Sequence, residues 1–180
     1  SLFQSVTTRT AGFETIPQAS LTSGSTLLTI ILMIIGGSPA GTAGGIKTTT
    51  VGILLLIMLS TIRGKKDTEF MGRKISDDAG RTALTVTGLA MLVMLTACII
   101  LFATDGLGFV DTLYEVASAM GTVGLTRGIT QGLSTVGKAA LIVVMYIGRI
   151  GPVTMGLALA MRRRGREQNR TLPEERILIG

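Results

Sequence analysis

The chain has 180 residues, a net charge of +6, 47% hydrophobic residues and only 16% charged ones, a charged share below the ~25% usual for a soluble domain, which points to a membrane protein. With no His and a single Cys, a histidine-based metal site, a Ser-His or Cys-His catalytic pair and a disulfide framework are all excluded, and most enzyme classes fall with them. The basic residues border long apolar runs, a placement that fits the cytoplasmic side of a membrane and speaks against nucleic acid as a partner.

The opening Ser-Leu-Phe-Gln, without an initiator Met or a signal-peptide pattern, reads as the start of a fragment. Residues 1–8 are too few to cross a bilayer and are expected to end a half-length helix. The segment Thr10-Ala11-Gly12-Phe13 follows it, and then a loop over 14–25 containing Pro17. From residue 27 to 62 the only charge is Lys47, and a straight helix of that length would run ~54 Å, beyond a hydrocarbon core of about 30 Å. It must break, and GGSPAGTAGG at 36–45 is where, between helices predicted at 27–35 and 46–62. Non-helical backbone inside a membrane is tolerated where it is buried in protein or lines a wet cavity. Gly36, Gly37, Gly41, Gly44 and Gly45 are therefore candidates for a gating loop. The alternative is a close-packing patch, since Gly37 and Gly41, and Gly41 and Gly45, match the small-residue helix contact spacing. A nucleotide-binding loop is rejected: Ile46 stands where a glycine is needed before Lys47, and the flanks are apolar helix.

Residues 64–81 form a hydrophilic, mostly basic linker, cytoplasmic by the positive-inside rule. Residues 84–103 carry no charge and span about 30 Å, one bilayer core, at 1.5 Å per residue. Cys98 within them reads as a small packing residue. After an outer turn at 104–110, Asp111 is expected to cap a helix reaching Met120, whose ~15 Å would enter the membrane only halfway. Its carbonyl end would point inward and favour a cation. Thr122-Val123-Gly124-Leu125 then turns back, a loop covers 126–135, and 139–161 is a last span. The tail, beginning with Arg162, Arg163, Arg164 and Arg166, is expected in the cytoplasm.

The stretches SVTTRTAGF (5–13) and ASAMGTVGL (117–125) repeat one design, Thr-small-Gly-apolar after a half-helix. Backbone carbonyls of such a segment can replace the water around a potassium ion. Gly12 and Gly124 supply positive φ at no steric cost, and Thr10 and Thr122 add hydroxyl oxygens at the inner end. The predicted fold is an all-α membrane protein built of potassium-channel-type repeats, each a helix, a re-entrant pore helix, a filter and a second helix. One repeat, over 1–63, lacks its first helix, and a complete one covers 82–163, with a cytoplasmic tail over 164–180. A pore needs four such units, and the two copies differ in sequence. The rest is therefore expected in a missing part of the polypeptide, and the fragment alone should not conduct.

Arg149 falls near the middle of the last span, where insertion costs about 2.5 to 3.5 kcal/mol. It should face a partner or a wet cavity: either it holds the glycine-rich loop as a plug below the filter or it is a structural anchor. Lys47 is an alternative or second barrier, and Arg9 and Arg127 flank the filters.

TRTAGF at 8–13, GGSPAGTAGGIKT at 36–48, GTVGLT at 121–126 and GRIGP at 148–152, in that order, resemble the Trk/Ktr/HKT superfamily of potassium transporters. The resemblance implies the third and fourth of four pore repeats, with Gly12 and Gly124 as potassium-selectivity glycines. It also implies that residues 36–45 are the intramembrane gating loop and that Arg149 is the gate-associated arginine. The short tail ending PEERILIG is most similar to the bacterial Ktr type. That type implies potassium uptake at the plasma membrane by a homodimer on a cytoplasmic ring of nucleotide-binding regulatory subunits, with sodium as an occasional activator. An ion-coupled secondary transporter with a midplane site at the broken helix is the competing reading. The basic linker and tail could bind anionic lipid of the bilayer instead of a protein.

Overall fold

The computed structural model describes residues 2–39, 41, 43–64, 67–70 and 73–151. Among these residues six α-helices run in order: α1 (Leu2–Thr7), α2 (Ser23–Ile34), α3 (Thr48–Ile62), α4 (Asp77–Asp105), α5 (Phe109–Gly121) and α6 (Thr135–Ile150). Strands β1 (Glu69–Phe70) and β2 (Arg73–Lys74) pair antiparallel between α3 and α4. The arrangement is helical, as expected, and α5 is its centre: it packs against α2, α4 and α6, while α3 lies on α4.

Small and large residues interleaved in one buried stretch explain why α5 is central. Ala117, Ala119 and Gly121 are small, and Tyr114, Val116 and Met120 fill the space around them, all of them buried. α6 approaches closely because Gly148 faces the carbonyl of Met120, which would lie 2.1 Å from a Cβ at that position. On α4, Ala83, Val86, Ala90, Met94, Ala97 and Leu101 recur at helical spacing and form the buried stripe. The other side of α4 is just as apolar, with Leu84, Met91, Leu92, Leu95 and Ile99 exposed. Among the described residues, α4 alone is a helix long and apolar enough to cross a membrane. The helices α2 and α3 are shorter and apolar, as the predicted break in the 27–62 region requires.

Several boundaries move from their expected positions, each for a local reason. α2 starts inside the predicted loop because Thr22 caps it, its hydroxyl accepting from the Ser25 N–H at 3.4 Å. α4 starts at Asp77, within the stretch expected to be linker: Ser76 accepts from the Ala79 N–H at 3.3 Å, and Asp77 and Asp78 favour the positive helix end. The remaining linker holds the hairpin, where Lys74 pairs with Asp67. Asp111 does not cap α5; Gly108 does, without a side-chain bond, and Asp111 lies in the first turn free to pair elsewhere. α6 begins at Thr135, four residues before the predicted span, because Ser134 caps it through the Gly137 N–H at 3.1 Å. It closes at Gly151, whose φ is +84°. Residues 152–161 of the expected span, Pro152 of the GRIGP run, and the arginine-rich tail lie outside the described residues.

Candidate ion-conduction site

The two Thr-x-Gly segments hang from the C-terminal ends of α1 and α5 by similar bonds. The carbonyl of Thr7 accepts from the N–H groups of Ala11 and Gly12, both at 3.2 Å. In the second copy, the carbonyls of Ser118 and Ala119 accept from Val123 at 2.9 Å and Thr122 at 3.1 Å. Thr7, buried, also donates its hydroxyl to the carbonyl of Phe13 at 2.6 Å, tying both ends of the first segment to its helix. Neither segment is helical or a strand.

Backbone conformation repeats as well. Thr10 and Gly12 have φ of +67° and +73°, Thr122 and Gly124 +53° and +89°. The glycines were expected there; the threonines were not, since a β-branched residue at positive φ is an outlier. The segments also touch. An added Cβ on Gly12 would stand 2.2 Å from the Val123 carbonyl oxygen, so that oxygen faces Gly12 directly. Ala11 and Phe13 are exposed, whereas Val123 and Leu125 are buried.

The glycine-rich segment leaves α2 and returns to α3 as a closed excursion. Its neck is a parallel bridge between Ile35 and Ile46, with the Gly36 N–H donating to Ile46 at 2.9 Å and the Ile46 N–H to Ile34 at 3.1 Å. Gly37 accepts from the Thr48 N–H at 3.2 Å. Within it, Lys47 donates to the carbonyls of Gly41, at 3.3 Å, and Ala43. Its charge therefore rests on the loop's own oxygens. The loop also meets the second Thr-x-Gly segment: the Gly44 N–H donates to Thr122 Oγ1 at 3.1 Å, and a Cβ on Gly44 would be 2.5 Å from that oxygen. Gly45, φ +73°, lies against Gly121.

Arg149 lines a cavity of about 770 Å³ together with Thr122, Gly124 and Leu125, Met145 and Tyr146. The spacing of Ile142, Met145, Tyr146 and Arg149 gives α6 one face toward this cavity. Among the described residues no cluster of His, Cys, Asp or Glu could hold a metal ion.

Three residues of the site were not singled out by sequence reasoning. Glu115, buried, accepts from the hydroxyls of Thr126 and Thr130, the latter at 2.9 Å, and from the Arg127 N–H at 3.0 Å. Gln18, buried, accepts from Tyr114 Oη at 2.9 Å and Gln4 Nε2 at 2.7 Å. An acid among the mostly apolar and small residues 113–121 of α5 was a visible signal for Glu115. The bond that joins Gln18 to Tyr114 links residues 96 apart in sequence, so nothing local marks that pairing.

Two short helices ending in non-helical segments, flanked by apolar helices, define a potassium-channel-like membrane fold. That fold is also found in the potassium transporter TrkH from Vibrio parahaemolyticus, with a TM-score of 0.69 at 22% identity over 89% of this chain and 36% of that one. The family model for TrkH, described as a cation transport protein, matches residues 1–166, and the chain belongs to this family of transporters, not enzymes. It is similar to the potassium/sodium uptake protein NtpJ of Enterococcus hirae, 40% identical over the whole chain and 41% of that protein. It is also 38% identical to the Ktr system potassium uptake protein B of Bacillus subtilis, covering 40% of it. The chain thus spans about two fifths of the length of these relatives.

Proposed function

We propose that the chain supplies two of the four pore units of a potassium uptake protein, with residues 10–13 and 122–125 as carbonyl-lined filters and residues 36–45 as the gate beneath them. The observation that carries this reading is the meeting of the two repeated segments at Gly12 and the Val123 carbonyl, each segment with left-handed backbone at its Thr and its Gly. Alternating left-handed with other backbone turns successive carbonyls to one side, as a row of ion ligands needs. The names of two relatives, potassium uptake in one and potassium/sodium uptake in the other, agree with a cation of this kind.

In this reading residues 1–63 are the third repeat and 82–163 the fourth, with the linker on the cytoplasmic side. The bond from Gly44 to Thr122 holds the glycine-rich loop against the inner end of the filter, where it blocks the path. Arg149 lies on the cavity that Thr122 and Gly124 share, and in this reading its charge acts through Thr122 to keep the loop there. The remaining repeats come from the rest of the polypeptide, and a homodimer on a regulatory nucleotide-binding ring follows from the Ktr resemblance.

The test is rubidium uptake into liposomes by the full-length parent protein with sodium as competitor. Gly124→Ser should weaken the preference over sodium, and Arg149→Ala should raise uptake. Equal selectivity in the glycine variant would move ion choice elsewhere and favour a coupled transporter. Unchanged uptake in Arg149→Ala would leave that residue an anchor.

A further inference from the structure

Arg127 stands two residues beyond the second filter segment, and its side chain reaches across to the first repeat. Its Nε donates to Asp111 Oδ1 at 2.6 Å; its Nη1 donates to the Gln18 carbonyl at 3.1 Å and to Thr26 Oγ1 at 3.2 Å. The guanidinium also lies 5.9 Å from the centre of the Tyr114 ring. Asp111 and Tyr114 belong to α5, Thr26 to α2, and Gln18 to the turn that follows the first filter segment. The backbone N–H of Arg127 is held by Glu115, so the residue is fixed at both ends.

Gln18 extends the connection. It is 1% exposed. Its Oε1 joins Tyr114 of α5 to Gln4 of α1, the helix from which the first segment hangs. Its Nε2 donates to the Ile16 carbonyl at 2.8 Å and its N–H to Glu14 Oε1 at 3.0 Å, both just after Phe13. The clasp therefore ties Arg127, just beyond Leu125, to Gln18, in the turn that follows Phe13. The side chain of Arg127 is only 16% exposed, and a buried, multiply bonded guanidinium resists displacement in a way a solvated lysine does not.

We propose that Arg127 is a positioning residue for ion selection: its planar fork holds the outer ends of the two filters at a fixed separation, so that their carbonyls discriminate cations. The proposal rests on residues 10–13 and 122–125 being filters. A single ammonium is a point donor and cannot reproduce bonds from Nε and Nη1 that diverge toward Asp111 and Gln18. Charge alone does not suffice at this position.

The test uses the full-length parent protein in liposomes, measuring rubidium uptake against graded sodium for wild type, Arg127→Lys, Arg127→Gln and Asp111→Asn. Arg127→Gln should still take up rubidium, but sodium should compete at about tenfold lower concentration, the order expected when a coupled network is broken. Arg127→Lys and Asp111→Asn should shift the same way by less. A purely structural role would lower uptake of every cation alike and leave the sodium competition at its wild-type value; that result overturns the proposal. Should Arg127→Gln not fold, Asp111→Asn, nearly isosteric, decides by the same ratio. A wild type without preference for rubidium over sodium removes the filters, and the clasp with them; a selective wild type with unaltered variants removes the clasp alone.

Discussion

Among the described residues threonine occupies the left-handed region twice, at positions 10 and 122, each two residues before a glycine that does the same. Holding an L-residue there costs about 1–2 kcal/mol, and such strain persists only where the surroundings impose it. Here they do: the carbonyls of Thr7 and Ser118 accept from the N–H groups that follow, those of Ala11 and Val123, and the Gly44 N–H donates to the Thr122 hydroxyl. The two glycines are not equivalent. Gly12 combines positive φ with the Val123 carbonyl at its face, whereas among the described residues nothing lies within 4 Å of a Cβ on Gly124. Gly12→Ala should therefore abolish selective rubidium uptake in the full-length protein. Gly124→Ala meets only the conformational strain of about 1–2 kcal/mol and should retain uptake with reduced preference over sodium. Equal effects in the two variants would mean that the contact between segments is not what sets the filter.

Among the elements, the junction of α5 and α6 is the tightest. Gly148 brings α6 against the last turn of α5, with the Met120 carbonyl where a side chain would begin. Gly148→Leu must push α6 outward, and overpacking of this kind destabilises by about 1–3 kcal/mol. The expected outcome is a lowered thermal unfolding temperature of the detergent-solubilised full-length protein, accompanied by altered uptake because Arg149 rides on the displaced helix. An unchanged transition would show that α6 has room to yield. Helix α4 is less demanding, since its buried stripe and its exposed stripe are both apolar; it can be covered by lipid on one side and by protein on the other.

At the scale of the molecule, the exposed Leu84, Leu92, Leu95 and Ile99 of α4 and Ile142 and Tyr146 of α6 mark surfaces that water does not suit. The chain covers about two fifths of its relatives' length, and in the proposed function its two segments would surround only part of an ion. Reconstituted alone, the 180-residue chain should take up no rubidium above empty liposomes, while the full-length protein in the same lipid does. Uptake by the chain alone would require assembly of several copies into one pore.

Composition, the apolar runs and the repeated Thr-x-Gly were enough to announce helices, the break at residues 36–45 and two short non-helical segments, because hydrophobic length and glycine content act locally. Helix starts were misjudged where a single hydroxyl, at Thr22, Ser76 or Ser134, decides the first turn. What only the tertiary structure decided is who meets whom: Gly12 with Val123, Gly44 with Thr122, Lys47 with its own loop, and Arg127 with Gln18 and Thr26. The Gly44, Arg127 and Gly12 contacts join residues remote in sequence through backbone carbonyls, N–H groups and hydroxyls that every residue or many residues carry. Such partners leave no mark in a sequence, and only the packing of α5 against α2 and α6 selects them.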